Sequence, residues 1–176
     1  AIGFGALSAQ QAGEGNVAIG QAALNANLAS NNLAVGKSAM IANTTGTRNI
    51  AIGNRALDLQ DTENDNLAIG YEAMTTDNAG GTKNVALGNY ALDALTSGDD
   101  NTALGYNAMT SATTGSNNTV VGKDAAAGAT ITGSNNTAIG KDAMSALTTG
   151  GNNVSVGNSA LIAITTGTEN VAIGFE

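Results

Sequence analysis

The side chains of this chain that could do chemistry are carboxylates, amides and hydroxyls, because its 176 residues include no His and no Cys. This composition excludes the usual zinc sites and the Ser-His-Asp and Cys-His arrangements of nucleophilic catalysis. Carboxylate pairs can hydrolyse glycosides, and Asp99-Asp100 is such a pair in the sequence. Adjacent strand residues point to opposite faces, however, and adjacent acids in a turn are ordinarily solvated. We therefore expect no enzymatic activity and no cofactor.

One acidic segment offers hard oxygen ligands for a metal ion. Asp61, Glu63 and Asp65 alternate with polar residues and could bind Ca²⁺. The segment lacks both the EF-hand spacing and the glycine-rich calcium-roll repeat. A solvated acidic turn is therefore the alternative interpretation.

Two tyrosines are candidates for contact with a ligand such as a glycan. Tyr71 and Tyr106 each directly follow a recurring glycine, so they occupy equivalent positions. Packing against neighbouring repeats is the structural alternative for both rings.

The charge pattern limits the partners. The net charge is −8, and the six cations are dispersed along the chain. Because phosphate backbones and anionic lipids attract clustered cations, we expect no nucleic-acid binding. We also expect no membrane insertion by this segment, since no apolar run approaches the length of a transmembrane helix.

A repeat of about 17 residues must position these groups. Glycines recur at intervals of 16 to 18 residues over the whole chain, and Ile, Val or Leu always precedes them. We expect one repeat domain over residues 1–176, a fragment of a longer fibre. Its coils are delimited by Gly3, Gly20, Gly36, Gly53, Gly70, Gly88, Gly105, Gly122, Gly140, Gly157 and Gly174.

An asparagine stands four residues before each glycine from the second onward. Asparagine tolerates positive φ and hydrogen-bonds to backbone, so the column predicts a ladder of structural corners. The alternative is a row of ligand-binding amides. The column consists of Asn16, Asn32, Asn49, Asn66, Asn84, Asn101, Asn118, Asn136, Asn153 and Asn170.

The repeat predicts an all-β protein, a β-solenoid or β-roll of ten coils. Asn49-Ile50-Ala51-Ile52-Gly53 alternates as a short strand, with Ile50 and Ile52 on the face that fills the coil. A second short strand is expected at Ala56-Leu57. The small face is then expected to meet another chain, and its alanines form a predicted inter-chain face: Ala18, Ala34, Ala51, Ala68, Ala86 and Ala103.

The strings NVAIG, NIAIG, NLAIG, NVALG and NTAIG, each with an Ala three residues after its glycine except in the last coil, resemble the head repeats of trimeric autotransporter adhesins of the YadA type. They are also similar to repeats in phage tail fibres and other bacterial surface fibres. The resemblance covers essentially the whole chain. It implies a left-handed parallel β-roll, a homotrimeric fibre, and an extracellular location on a cell or virion surface. The repeat here is longer than the YadA type, and the extra residues fall in the Thr-Gly turn.

The function expected from these features is adhesion or attachment by a rigid segment of a trimeric surface fibre, as head or stalk. Its expected partners are further copies of the chain and a surface receptor or glycan. A phage tail-fibre segment that presents a receptor-binding tip is the first alternative. An ice-binding β-solenoid is the second, suggested by paired threonines such as Thr44-Thr45 and Thr113-Thr114. Adjacent threonines on a strand point apart, however, which disfavours ice binding.

Overall fold

A computed structural model describes residues 1–9, 13–59, 62–76 and 81–176. The described chain is a parallel β-solenoid in which each coil contributes one three-residue strand to a single ten-stranded sheet. This part of the chain has no helix long and apolar enough to span a membrane. The strands are β1 (Val17–Ile19), β2 (Leu33–Val35), β3 (Ile50–Ile52), β4 (Leu67–Ile69), β5 (Val85–Leu87), β6 (Thr102–Leu104), β7 (Thr119–Val121), β8 (Thr137–Ile139), β9 (Val154–Val156) and β10 (Val171–Ile173).

The strands pair in chain order and in strict register. Ala51 of β3 lies between Ala34 of β2 and Ala68 of β4. The same alignment runs from β1 to β10, so every sequence column of the repeat becomes a column of stacked side chains. At about 4.8 Å per strand, nine strand spacings give a sheet roughly 43 Å long.

The second strand that was expected at Ala56-Leu57 is absent, and that prediction is wrong. Arg55 and Leu57 have φ values of 58° and 52°, so the backbone curls where a strand would extend. The curl still bonds to both neighbours: Arg55 N–H donates to Lys37 O, and Leu57 N–H donates to Ala73 O, each at 3.0 Å. Each coil therefore consists of one strand and a long hydrogen-bonded turn.

The recurring glycine closes the strand at a point where no side chain fits. Gly88 has a φ of +142°, and a Cβ built on it would lie 2.2 Å from Gly105 O of the next coil. Both the backbone conformation and the close approach of the next coil therefore require glycine at this position.

The core is a thin stack made mostly of alanine, leucine and methionine side chains. The middle residue of each strand points inward, and Ala51 and Ala68 are completely buried. Opposite them lie the Ala and the Leu or Met that stand three and four residues after each glycine, such as Ala56 and Leu57. Because so short a coil encloses little volume, small residues fill the strand side while Leu and Met fill the turn side.

Two coils depart from this core pattern, and each compensates for the change. Val120 replaces the strand-centre alanine in one coil, and that coil carries Ala126 where the others carry Leu or Met. Ser155 is the second exception, and its buried hydroxyl donates to Ala160 O at 2.7 Å. Volume and hydrogen bonding are therefore balanced within each coil.

Candidate interaction surfaces

The first and third residues of every strand point outward and form two columns of mostly apolar side chains. We call this surface the apolar face. Val17, Ile19, Ile50, Leu104 and Ile139 are among its exposed members. The first column is Val17, Leu33, Ile50, Leu67, Val85, Thr102, Thr119, Thr137, Val154 and Val171; the second is Ile19, Val35, Ile52, Ile69, Leu87, Leu104, Val121, Ile139, Val156 and Ile173.

The predicted inter-chain face is wrong, because its alanines lie inside the coil. Ala18, Ala34, Ala51, Ala68, Ala86 and Ala103 each have 0% of their surface exposed. The alternation within each strand was predicted correctly, but the alanines point into the coil and the larger residues point outward, the reverse of the prediction. A strand-centre isoleucine would collide with the turn across the narrow coil, so the larger residues point outward.

The predicted asparagine column is a continuous hydrogen-bond ladder, and its members from Asn32 to Asn153 are buried. Asn101 Oδ1 accepts the backbone N–H of Asn118 at 3.0 Å, and its Nδ2 donates to Gly115 O at 2.8 Å. Asn84 makes the same two bonds to Asn101 N–H and Gly98 O. Each side chain thus joins its own strand to the turn and strand of the next coil. Because these amides are buried and bonded to backbone, they are not displayed to a ligand.

The corner geometry differs from the expectation in one respect. The residues with positive φ are those directly before the ladder, such as Arg48 (59°), Lys83 (58°) and Asn117 (58°), and not the ladder asparagines. Asn or Asp occupies this preceding position in most coils, in keeping with their tolerance of the left-handed region. The ladder residue is selected by its two hydrogen bonds.

The three tyrosines lie side by side on consecutive coils, and we call them the tyrosine ladder. The ring centroids of Tyr71 and Tyr90 are 5.5 Å apart, and those of Tyr90 and Tyr106 are 5.9 Å apart, both edge-to-face. Lys123 Nζ lies 6.0 Å from the Tyr106 ring centroid. Tyr71 and Tyr106 remain 41% and 46% exposed. The sequence placed Tyr71 and Tyr106 at equivalent positions; it gave no signal that Tyr90, one position later, lies between them.

Polar groups surround the tyrosine ladder. A hydrogen bond to Glu72 raises the pKa of the Tyr71 phenol. Asn89 Oδ1 accepts the backbone N–H of Tyr71 at 2.9 Å, and Asn107 Nδ2 donates to Asp124 Oδ1 at 3.1 Å. The adjacent Lys123 ammonium, 2.9 Å from Asp124, lowers the pKa of the Asp124 carboxyl. Each exposed ring therefore has amide or carboxylate groups beside it.

The candidate calcium ligands are not brought together in the described structure. Asp65 is bound by Arg48 through both carboxylate oxygens, at 2.6 and 2.8 Å, and this hydrogen bonding lowers the pKa of Asp65. Glu63 is buried and accepts hydrogen bonds from the N–H and hydroxyl of Thr62. Asp61 lies outside the described residues. Within the ranges the structure describes, no three acidic side chains form a cluster suited to a metal ion.

Asp58 is a buried carboxylate that the sequence analysis did not predict as a site, and it lies two coils before the coil of Tyr90. Asp58 is 4% exposed, and Arg55 binds its Oδ2 at 2.7 Å while also reaching Glu72. Among the described residues Asp58 Oδ1 has no hydrogen-bond partner. Burial, opposed by the Arg55 contact, raises the pKa of Asp58.

Comparisons with protein-family models, with curated proteins and with solved structures found no match to this chain. The assignment of a role therefore depends on the surfaces described above.

Proposed function

We propose that this chain is a rigid segment of a self-associating extracellular fibre that serves attachment. The observation that carries the proposal is the apolar face: two columns of β-branched and leucine side chains on an in-register sheet. A face about 43 Å long and about 10 Å wide covers on the order of 400 Å². A patch of this size is comparable to the largest apolar patch on a typical monomeric protein, and such patches are often binding sites.

A second copy of the same chain is the partner that fits this face. The face repeats in register at every strand, so an identical face can match it along its length. The resemblance to trimeric adhesin heads makes a homotrimer the expected assembly, with the three apolar faces turned towards a common axis.

The uniform stack supports a spacing and attachment role. Every interior coil bonds to the coils on both sides through the strand, the turn and the asparagine ladder. A solenoid built in this way resists bending and can hold a binding surface away from its anchor. A bacterial adhesin and a phage tail fibre share this physics; a membrane anchor or a baseplate-binding domain in flanking sequence would distinguish them.

The proposal is tested by the mass of the protein in solution, measured by light scattering. We expect an oligomer, and we expect the variant Ile52→Lys/Ile69→Lys to dissociate because it buries two ammonium groups in the interface. The control, Asn117→Lys, adds a charge at an exposed corner outside the two outward columns and should keep the wild-type mass. A wild-type protein that remains a folded monomer at its highest soluble concentration would contradict self-association.

Ice binding is a second candidate, favoured by one specific observation. Thr102, Thr119 and Thr137 occupy consecutive positions in the first outward column. They form a flat row of hydroxyls beside aliphatic side chains, which is a better candidate than the turn threonines noted in the sequence. Thermal hysteresis of the wild type that is lost in Thr119→Lys would support this function. A protein that neither lowers the freezing point nor shapes ice crystals does not have it.

A further inference from the structure

The tyrosine ladder is the one place where exposed aromatic rings line up along the solenoid. Tyr71, Tyr90 and Tyr106 are all the tyrosines in the chain, and the two phenylalanines, Phe4 and Phe175, lie in its end coils. The two exposed rings are two coils apart, which is about 10 Å along the axis. Both are nearly perpendicular to Tyr90, at 76° and 87°. The half-buried Tyr90 thus separates the two exposed rings and supports both.

Hydrogen-bonding groups alternate with these rings. The exposed Asn89 lies between the coils of Tyr71 and Tyr106, and its Oδ1 is fixed by the Tyr71 N–H. Within the described part of the chain, no protein acceptor takes the Asn89 Nδ2 donor. Asn107 directly follows Tyr106 and keeps its Oδ1 available, since its Nδ2 bonds to Asp124. The surface therefore offers aromatic area and amide groups in the same row.

This combination matches the chemistry of a pyranose chain. A sugar ring has an apolar C–H face that packs on an aromatic ring, and equatorial hydroxyls that bond to amides and carboxylates. Successive sugars along a polysaccharide repeat, as the coils do, so one extended chain could contact both exposed rings. A protein partner would need a broader apolar contact than two separated rings supply.

The charges select a neutral polysaccharide over an anionic one. Glu72 and Asp124 flank the ladder, and each is paired with one cation: Glu72 with Arg55 at 2.7 Å and Asp124 with Lys123 at 2.9 Å. The chain as a whole carries a net charge of −8. An anionic glycan would meet repulsion that a neutral one does not.

We propose that the tyrosine ladder binds a neutral polysaccharide, with Tyr71 and Tyr106 stacking on sugar rings and Asn89 and Asn107 bonding to hydroxyls. The inference deepens the proposed attachment role and rests on it for its biological meaning. Binding itself needs only the surface of one chain.

The absence of Trp makes the ladder its own reporter, because all intrinsic fluorescence above that of Phe arises from these three tyrosines. The assay titrates the full chain with hydroxyethyl cellulose, galactomannan or dextran and follows tyrosine emission. Affinity electrophoresis in gels that contain each polysaccharide gives the affinity, with alginate as the anionic comparison. We expect a saturable change in emission and retarded migration with at least one neutral polysaccharide, and neither with alginate.

The variant Tyr71→Ala/Tyr106→Ala should weaken binding about tenfold or more, the scale of two lost stacking contacts. Tyr71→Phe/Tyr106→Phe keeps the rings and should retain most of the affinity. Phe4→Ala/Phe175→Ala removes two exposed aromatic rings at the equivalent position of other coils and should change nothing.

Two results would overturn the inference: no response of the wild type to any of the three neutral polysaccharides, or full binding by the double alanine variant. Circular dichroism on each variant checks that it is folded. If the double alanine variant does not fold, the wild-type titration alone tests the inference. Light scattering on the same samples separates this failure from failure of the proposed function. If the protein self-associates but does not bind polysaccharide, the polysaccharide inference is refuted and the proposed function stands.

Discussion

The compensated core of one coil gives a sharp test of how side chains fill the solenoid. Val120 and Ala126 are both buried in the coil that contains β7. The two neighbouring coils instead combine a strand-centre alanine with a methionine: Ala103 with Met109, and Ala138 with Met144. Replacing Val120 by Ala should cost about 2 kcal/mol, from roughly 0.8 kcal/mol per methylene-sized group plus the cavity left behind. Replacing Ala126 by Met should also cost about 2 kcal/mol, because Val120 already fills the space.

The double variant Val120→Ala/Ala126→Met should fall within about 1 kcal/mol of wild type, since it restores the arrangement of the neighbouring coils. Additive single effects would total about 4 kcal/mol, so the expected coupling is about 3 kcal/mol. Urea unfolding followed by circular dichroism measures all four proteins. The matched control, Ala138→Val, meets Met144 and should be destabilised by overpacking. Additive costs in the double variant would refute the idea that the two side chains share one space.

Three further predictions concern the recurring glycine, the asparagine ladder and the buried carboxylate. Gly88→Ala should cost about 3 kcal/mol or more in unfolding free energy, because its Cβ would lie 2.2 Å from Gly105 O at a φ of +142°. An unchanged melting temperature would show that the coils can separate at this point. Asn101→Asp should cost about 3 kcal/mol at neutral pH, because a carboxylate still accepts from Asn118 N–H but faces Gly115 O without a proton to donate. The pKa of that aspartate should be raised in the folded state, so the loss of unfolding free energy relative to wild type should shrink as pH falls towards the unfolded pKa. A loss of stability that does not change with pH would argue against the bond to Gly115. The raised pKa of Asp58 means that its protonated form favours the folded state, a contribution fully present below the unfolded pKa and lost as pH rises through the folded pKa. Asp58→Asn should therefore raise the melting temperature at pH 7 and make little difference at pH 3, and a lower melting temperature at pH 7 would show that the Arg55 contact outweighs burial.

Much of the architecture could be predicted from the repeat alone. The glycine and asparagine columns indicate a coil period, and a period near 17 residues leaves room for little besides a solenoid of short strands. The asparagine ladder could also be predicted, because a polar residue at the same corner of every coil needs a hydrogen-bond partner in the next coil. The structure adds that its bonds run to backbone N–H and C=O groups.

The orientation of the strand was not predicted, for a physical reason. Period-2 alternation identifies two faces but does not say which one is inside, and the usual rule places the larger apolar residues in the core. Here the coil is too narrow for that rule, because Ala56 and Leu57 already occupy the opposite wall. The pairing of Val120 with Ala126 is the sequence signal that could have revealed it, since only residues that share one interior need to compensate in volume.

The backbone conformation of the turn could not be predicted from the sequence either. Residues such as Arg55 and Leu57 have little intrinsic preference for positive φ, and stacking on both sides imposes it. The edge-to-face contacts of the tyrosine ladder depend on that curl. It brings Tyr90 between Tyr71 and Tyr106, although the three occupy two different positions of the repeat.

The central claim is that copies of this chain meet through the outward columns of the sheet, and single-cysteine cross-linking tests it most directly. The chain has no native cysteine, so Ile69→Cys and Ala68→Cys place one thiol each on adjacent residues of β4 that point to opposite sides. Under mild oxidation Ile69→Cys should form disulfide-linked dimers between chains, whereas Ala68→Cys, buried within its own coil, should stay reduced. Cross-linking through Ala68→Cys, or none through Ile69→Cys, would contradict the account.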